Sequence, residues 1–365
     1  MKAIRFSSFI LFLFVNTFVW ANMAKPTVDG STGSTLLGSK DCDVISERID
    51  ITAITKYNEY QLFDLHYKVS YKIKSAKTAN LPLLFIGTGL TTPDYIMVNG
   101  KKVNYQSSNK NSIDKFPFLK PVNDIGTEKK VSFDGETDYR IPIEGNLYFD
   151  APIVKGENTI TLEYIGTPEY NVYGILREFK IEYALYPSKY WKSFGPITVF
   201  LHLTPDTELR STNIGSAKKL ENNDYQIDIE HLSHDNLEII YSKKLSLLAK
   251  FLIMLDPFGI SCILFVAMAY LHYRWVVKVR KKRPKKFNYT VLLGSFIISI
   301  LYSLSYIFSF DFIDWLVDEQ GMNHGYILLG IFVMIPYSFM IELIFSWYID
   351  VRTKKKLNTI EEQNN

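Results

Sequence analysis

Two histidines near the middle of the chain are the first residues whose types could do chemistry. His231 and His234 lie in the segment "DIEHLSHDN", with carboxylates on both sides. Two histidines three residues apart can bind zinc from one face of a helix. This segment is instead typical of a strand that ends in a turn, and no third histidine lies near it in the sequence. We therefore favour a polar turn, and an exported metal-dependent hydrolase is only a third hypothesis for function.

Other catalytic patterns in the sequence are incomplete. The segment "GTGL" at residues 87–90 follows a strand-like run but lacks the third glycine and the helix of a dinucleotide-binding loop. No serine lies in the pattern of a nucleophile elbow. The two cysteines, Cys42 and Cys262, lie in unlike segments and are not expected to pair. The sequence thus predicts no catalytic residue, no metal site, no cofactor and no enzymatic activity.

One carboxylate lies inside an apolar segment. Glu342 interrupts "PYSFMIELIFSW", and a charged group within a membrane span usually faces a partner or water. In another apolar segment Ser295, Ser299 and Ser303 recur at every fourth residue, a spacing that lets helices approach closely. We predict that Glu342 faces this serine side or Tyr302. A structural hydrogen bond and a role in proton or ion handling both remain open.

The elements that would position these residues are membrane helices. Asp256 and the proline after it divide a long apolar run, because Asp is a good N-cap and Pro a good first helical residue. Residues 244–256 are therefore predicted to form an interfacial helix, and a single bent span that starts earlier is the alternative. Residues 257–348 are predicted to form a three-helix membrane region. Its spans, each long enough for the hydrocarbon core, are residues 257–277, 291–310 and 326–347.

The charges of the connecting segments predict how the chain crosses the membrane. "KVRKKRPKKF" at residues 278–287 is strongly basic, and more basic residues follow the third span, whereas residues 311–325 contain no Lys or Arg. Short basic loops stay in the cytoplasm. We therefore predict that residues 278–287 and the tail at 349–365 are cytoplasmic. Anionic lipid is a compatible ligand of the basic loop, and no nucleic-acid binding is expected because the basic charge is not on the folded N-terminal part.

The beginning of the chain is typical of an exported protein. Residues 1–21 have the short basic start, the apolar run and the small residues of a secretory signal peptide. Residues 22–42, rich in Gly, Ser and Thr, predict a flexible leader. The exported part contains no N-glycosylation acceptor, which favours a protein of a bacterial envelope, periplasmic in a Gram-negative cell.

Residues 43–243 are predicted to be β-structure. In "LFDLHYKVSYKI" apolar and polar residues alternate strictly, as in a strand with one buried face, and Asn99-Gly100 predicts a tight hairpin. We predict a β-sandwich domain at 43–188, with 189–243 as a second β subdomain or a continuation of the sandwich. Trp191 lies near the boundary, as an interface plug or as a platform for a ligand.

The sequence therefore predicts an all-β exported region of one or two antiparallel β-sandwiches, followed by three transmembrane helices. It contains no signature of a known family. The leading hypothesis is a membrane-anchored, non-enzymatic interaction or scaffold protein whose exported domain binds a protein or glycan. The alternative is an accessory subunit of a membrane transport or secretion complex that uses Glu342. The expected partners are the lipid bilayer and a protein of the envelope.

Overall fold

The computed structural model describes residues 27–317 and 330–364 together with residue 324, apart from residues 39, 56–62, 92, 94, 123–127 and 133–137. A β-rich N-terminal part is followed by three long apolar helices. The predicted signal peptide at residues 1–21 lies outside the described residues. The strands are β1 (Thr27–Val28), β2 (Thr32–Ser34), β3 (Cys42–Thr55), β4 (Phe63–Ser75), β5 (Ala79–Phe85), β6 (Tyr95–Val98), β7 (Lys101–Val103), β8 (Gln106–Ser107), β9 (Lys120–Pro121), β10 (Glu128–Ser132), β11 (Asp138–Pro142), β12 (Leu147–Ile153), β13 (Gly156–Gly166), β14 (Glu169–Asn171), β15 (Glu178–Ala184), β16 (Ser193–Phe194), β17 (Ile197–His202), β18 (Thr207–Thr212), β19 (Ser216–Lys219), β20 (Asp224–Ile229) and β21 (Asn236–Lys243).

The largest sheet has nine strands in the order β19-β20-β17-β3-β4-β13-β6-β7, with β16 also paired to β3. Strand β3 runs antiparallel to β4 and parallel to β16 and β17. The alternation predicted for β4 is present: Leu65, Tyr67 and Val69 are fully buried, whereas the side chain of His66 is partly exposed on the other face. The period of two therefore marks which face of this sheet is covered.

A second sheet has six strands in the order β1-β14-β15-β21-β18, with β2 paired in parallel to β15. Its inward residues Ile181, Tyr183 and Ile239 belong to the same apolar cluster as Tyr67 and Val69 of the nine-stranded sheet. The two larger sheets thus share one core. Two sheets of three strands, β5-β12-β8 and β11-β10-β9, carry a second apolar cluster around Tyr148.

The hairpin predicted at Asn99-Gly100 is confirmed. Strands β6 and β7 pair with Val98 opposite Lys101, which leaves a two-residue turn. Asn99 and Gly100 have φ of 52° and 75°, the positive values that such a turn requires.

The flexible leader predicted at residues 22–42 is wrong for the part that the structure describes. Strand β2 pairs with β15, and Leu36 and Leu37 are fully buried. Trp191 is buried, and its indole Nε1 donates a 2.6 Å hydrogen bond to the carbonyl of Leu36. Gly38 lies against the same ring: a Cβ at residue 38 would lie 2.5 Å from the indole of Trp191. The burial of the two leucines and the contact of Leu36 with Trp191 outweigh the polar composition of the segment.

Residues 189–243 contribute strands to both larger sheets. Strand β17 pairs with β3, and β21 pairs with β15. Between β15 and β16 the chain forms a short 3-10 helix at Tyr186–Tyr190, and another lies at Glu221–Asn223. Both pairings place strands of residues 189–243 in the same sheets as the strands that precede them.

The α-helices are α1 (Lys110–Ile113), α2 (Leu247–Lys282), α3 (Tyr289–Val317) and α4 (Ile331–Asn364). The last three are long and apolar enough to cross a membrane. They extend beyond the predicted spans: α3 enters the predicted loop at 311–325, and α4 continues through the predicted tail. Helical hydrogen bonds do not have to end where the apolar residues end. The length of the apolar run therefore underestimates the length of these helices.

Helix α2 is broken at Asp256, the residue at which the sequence predicted a division. Asp256 has φ 62° and ψ 156°, and its side chain accepts a 3.0 Å hydrogen bond from the amide of Phe258. This is an N-cap inside an otherwise continuous apolar run. The interfacial position predicted for residues 244–256 stays a prediction.

The β-rich part contacts one end of the helix bundle. Ile175 and Leu176, in the loop between β14 and β15, pack beside Ala249 near the start of α2 and beside Ile313 and Val317 near the end of α3. The connection between α2 and α3 lies at the opposite end of these helices.

Candidate functional site

The helix bundle contains a buried polar pair. Glu342 on α4 is 1% exposed, and its Oε1 lies 2.7 Å from Nδ1 of His272 on α2. His272 is buried as well. The structure thus places Glu342 inside the bundle, but its partner is His272 and not the serines or Tyr302 that the sequence suggested.

The hydrogen bonds of His272 limit where its protons can lie. Nε2 lies 2.8 Å from the backbone carbonyl of Thr290, which can only accept, so Nε2 carries a hydrogen. Nδ1 and the carboxyl of Glu342 then share one further proton. If it resides on the imidazole the two groups form an ion pair, and if it resides on the carboxyl both groups are neutral. The pair has no net charge in either arrangement, which suits a site surrounded by apolar helices.

Gly294 on α3 allows the imidazole to reach this position. A Cβ at residue 294 would lie 2.1 Å from Nε2 of His272. Any larger residue would have to push α2 away from α3, and the bond from His272 to Thr290 would lengthen. The glycine is therefore part of the geometry of the pair.

The predicted serine row of α3 is buried. The hydroxyls of Ser299 and Ser303 donate to carbonyl oxygens one turn earlier in their own helix. Ser295 does the same, and its Oγ also lies 3.1 Å from Oγ of Ser346, one turn after Glu342. With the hydroxyls satisfied inside α3, the row presents a small, closely packed surface.

A second buried pair joins α2, α4 and the basic connection. Nε of Arg280 donates a 2.7 Å hydrogen bond to Asp350, and Nη2 donates to the other carboxylate oxygen. Nη1 donates to the carbonyls of Pro284 and Lys286 at 3.0 and 2.8 Å. The amide of Asn288 donates to Asp350 at 2.7 Å. Arg280 belongs to the basic segment at 278–287, but the helix α2 continues past it and its side chain is buried in the bundle.

Sequence reasoning missed His272 and Asp350, although a signal for both is present. His272 and Arg280 are eight residues apart on α2, and Glu342 and Asp350 are eight residues apart on α4. Eight residues of helix rise about 12 Å, so two parallel helices with this spacing can form two bridges at matching levels. The bases lie on one helix and the acids on the other, which is the pattern to look for.

A buried carboxyl also lies in the β-rich part. Glu47 on β3 is 1% exposed and accepts hydrogen bonds from the hydroxyls of Tyr183, at 2.6 Å, and Thr35, at 3.1 Å. The hydroxyl of Tyr71 lies 3.1 Å from that of Tyr183 and accepts from the amide of Leu36. Burial raises the pKa of Glu47 to about 7, against the hydrogen bonds that lower it. The network attaches the N-terminal segment to the core.

The remaining sequence candidates do not converge. His231 and His234 are exposed in a turn after β20. Within the described ranges, no group of three His, Cys, Asp or Glu side chains could hold a metal. Cys42 is buried at the start of β3 and Cys262 lies in α2, both as free thiols. The "GTGL" segment is irregular, with Gly89 at φ 67°.

Comparison with known proteins does not assign this chain to a family. No family model matches the sequence, and no curated protein matches it. Among solved structures, a "putative nutrient binding protein" of Legionella pneumophila is 17% identical, with 60% of this chain and 73% of that chain covered and a TM-score of 0.41. Leukotriene A4 hydrolase of Saccharomyces cerevisiae is 11% identical, with 57% and 30% covered and a TM-score of 0.34.

An M1 zinc metallopeptidase of Deinococcus radiodurans is 11% identical, with 56% of this chain and 43% of that chain covered and a TM-score of 0.29. This chain therefore spans less than half the length of the two enzymes. Likeness at this level assigns neither their activity nor their ligands to this chain.

Proposed function

We propose that this chain is a multi-pass protein of a bacterial cell membrane whose exported β-region is an interaction or scaffold domain for a protein or glycan. One observation carries the proposal: the β-rich part and the basic segment contact opposite ends of the helix bundle. Ile175 and Leu176 pack near Val317, at the end of α3, whereas residues 278–287 precede the start of α3. Since basic loops stay in the cytoplasm, this arrangement supports an outside position for the β-region.

We further infer that residues 27–243 form one β-sandwich. The nine-stranded and six-stranded sheets bury their inner faces in a common cluster, which supports two packed layers. Residues 189–243 are then a continuation of the domain at 43–188, because their strands lie beside β3 and β15.

The edges of the nine-stranded sheet favour binding through its face or loops. Edge strand β7 carries Lys101 and Lys102, and edge strand β19 carries Lys218 and Lys219, all of them exposed. Lysines on an edge strand oppose the addition of a further strand. The outward face offers a mixed polar surface in which Arg48 lies 4.2 Å over the ring of Phe200.

The test is cross-linking of the full chain in native membranes, followed by mass spectrometry. A second chain, with the three helices replaced by an unrelated membrane anchor, is the comparison. If the β-region is the interaction domain, both chains give the same cross-linked partners. Partners that disappear with the native helices would contradict the proposal and favour a function within the bundle.

The second candidate function is that of an accessory subunit in a membrane transport or secretion complex. The pair of His272 and Glu342 favours it, because an imidazole and a carboxyl at 2.7 Å can exchange a proton inside the bundle. Under this proposal Glu342→Gln gives a well-expressed but inactive protein, since Gln keeps a hydrogen bond to Nδ1 and removes the carboxyl. A Gln variant that retains the partner-dependent function would contradict it.

A further inference from the structure

Two connected grooves run between α3 and α4 on the membrane-facing surface of the bundle. Their volumes are about 530 and 630 Å³, and Leu292 lines both. The larger groove is almost entirely apolar and extends from Tyr289, the first residue of α3, to Phe296 and Phe339. The groove nearer the basic connection changes from apolar side chains to Asn288 and Lys354. The two grooves thus meet at Leu292, and the smaller one adds a polar end to an apolar surface.

The length of this surface matches one leaflet of a bilayer. Fifteen residues of α4 separate Phe339 from Lys354, about 22 Å along a helix. One leaflet of the hydrocarbon core is about 15 Å thick, and the headgroup region lies beyond it. A molecule that fills the surface therefore has an apolar part in the hydrocarbon and a polar end at Lys354.

The polar end is complementary to an anion. Asp350, the acidic residue that lines the groove, is already bound by Arg280 and Asn288. Lys354 lines the groove, and residues 278–288 contribute six basic residues besides Arg280 and no acidic residue. A phosphate placed there meets a net positive field, which falls off within about 10 Å at ordinary salt.

We propose that this groove binds a phospholipid with an anionic headgroup, with an acyl chain along Leu292, Phe296 and Phe339 and the phosphate at Lys354. The site is independent of the partner of the β-region. Its occupant would also hold α3 and α4 together at the end where Arg280 fixes the connection.

The test is native mass spectrometry of the full-length protein in detergent, stripped of lipid and titrated with phosphatidylglycerol, phosphatidylcholine or glycerol 3-phosphate. We expect phosphatidylglycerol to bind about fivefold more tightly than phosphatidylcholine, the preference that one lysine near a headgroup provides. Lys354→Ala should remove this preference. Leu292→Trp, which fills the groove, should reduce the retention of both lipids.

Lys356→Ala is the matched control, because residue 356 lies on another side of α4 and does not line the groove. Equal losses in the Lys354 and Lys356 variants would mean diffuse attraction by the basic segment and would overturn the proposal. Binding of glycerol 3-phosphate as tight as that of the lipid would also overturn it, since the acyl chain would then contribute nothing. Lys354 is exposed, so its variant is expected to fold and decides the question even if Leu292→Trp does not.

Discussion

At the scale of single residues, the bundle places two pairs of ionisable groups in apolar surroundings, and each pair joins α2 to α4. His272 meets Glu342 and Arg280 meets Asp350, all four buried. A buried pair gains little over an apolar pair of the same shape, but the removal of one partner leaves the other desolvated and unpaired. Substitution of a single member of either pair should therefore destabilise the helix bundle.

The first prediction concerns Glu342. Glu342→Gln can donate its amide to Nδ1 of His272 and should retain native stability, whereas Glu342→Leu should reduce the free energy of unfolding by about 1–2 kcal/mol, the upper range for polar contacts between membrane helices. Chemical unfolding in detergent measures both. Ile341→Leu, at an exposed neighbour, is the control. A neutral Glu342→Leu would mean that the pair does not hold the bundle together.

The second prediction concerns Glu47. The pKa of its carboxyl is raised from 4.5 to about 7 by burial, so the folded protein keeps a proton that the unfolded chain releases between these pH values. The stabilisation is fully present below pH 4.5 and is lost as the pH rises to 7, by about 3 kcal/mol, at 1.4 kcal/mol for each unit of pKa difference. Glu47→Gln should abolish this decrease.

Denaturant unfolding of the full chain across this pH range, followed by the β signal in circular dichroism, tests the prediction for Glu47. Glu157→Gln, at an exposed position of β13, should leave the pH dependence as it is in the native chain. Equal slopes in the Glu47 and Glu157 variants would show that other groups produce the pH dependence.

At the scale of elements, the sequence predicted what periodicity and length encode. It predicted the alternation of β4, the Asn99-Gly100 hairpin and three apolar helices, because each depends on residues close together in the chain. It did not predict that Leu36 is buried or that His272 meets Glu342, since both depend on contacts between distant segments. Composition also misled: a segment of small polar residues was predicted to be flexible although it contains two buried leucines.

The third prediction concerns the approach of α2 to α3. Gly294→Ala should destabilise the bundle by about 1–3 kcal/mol, the usual cost of overpacking, because the new Cβ would lie 2.1 Å from the ring of His272. Gly259→Ala is a matched control in α2, where a Cβ would meet the side chain of Leu255 at 3.7 Å, an ordinary contact. Thermal unfolding of both variants in the same detergent gives the comparison. Equal midpoints would show that α2 and α3 are not closely packed at this level.

At the scale of the whole molecule, the distribution of charge and the packing of the β-rich part favour the same orientation of the helix bundle. The loop with Ile175 and Leu176 holds the β-rich part against one end of the bundle, and the basic connection lies at the other. Arg280 binds Asp350 as well as the carbonyls of the connection, so residues 278–287 and the last turns of α4 lie on the same side. This contact ties together two regions that the sequence assigned to the cytoplasm separately.

The last prediction concerns the sides of the membrane on which the connecting segments lie. Reporters fused after Lys285 and after Lys356 should both be active in the cytoplasm, and a reporter fused after Asp318 should be active outside, because the transfer of seven basic residues across the membrane is unfavourable. The pair of Arg280 and Asp350 makes the test stricter: the first two reporters have to agree with each other. If both of these reporters are active outside, the predicted orientation is wrong, but the packing of the helices is not contradicted. If they disagree, α2 and α4 do not run in the same direction, and the buried pairs between them cannot form.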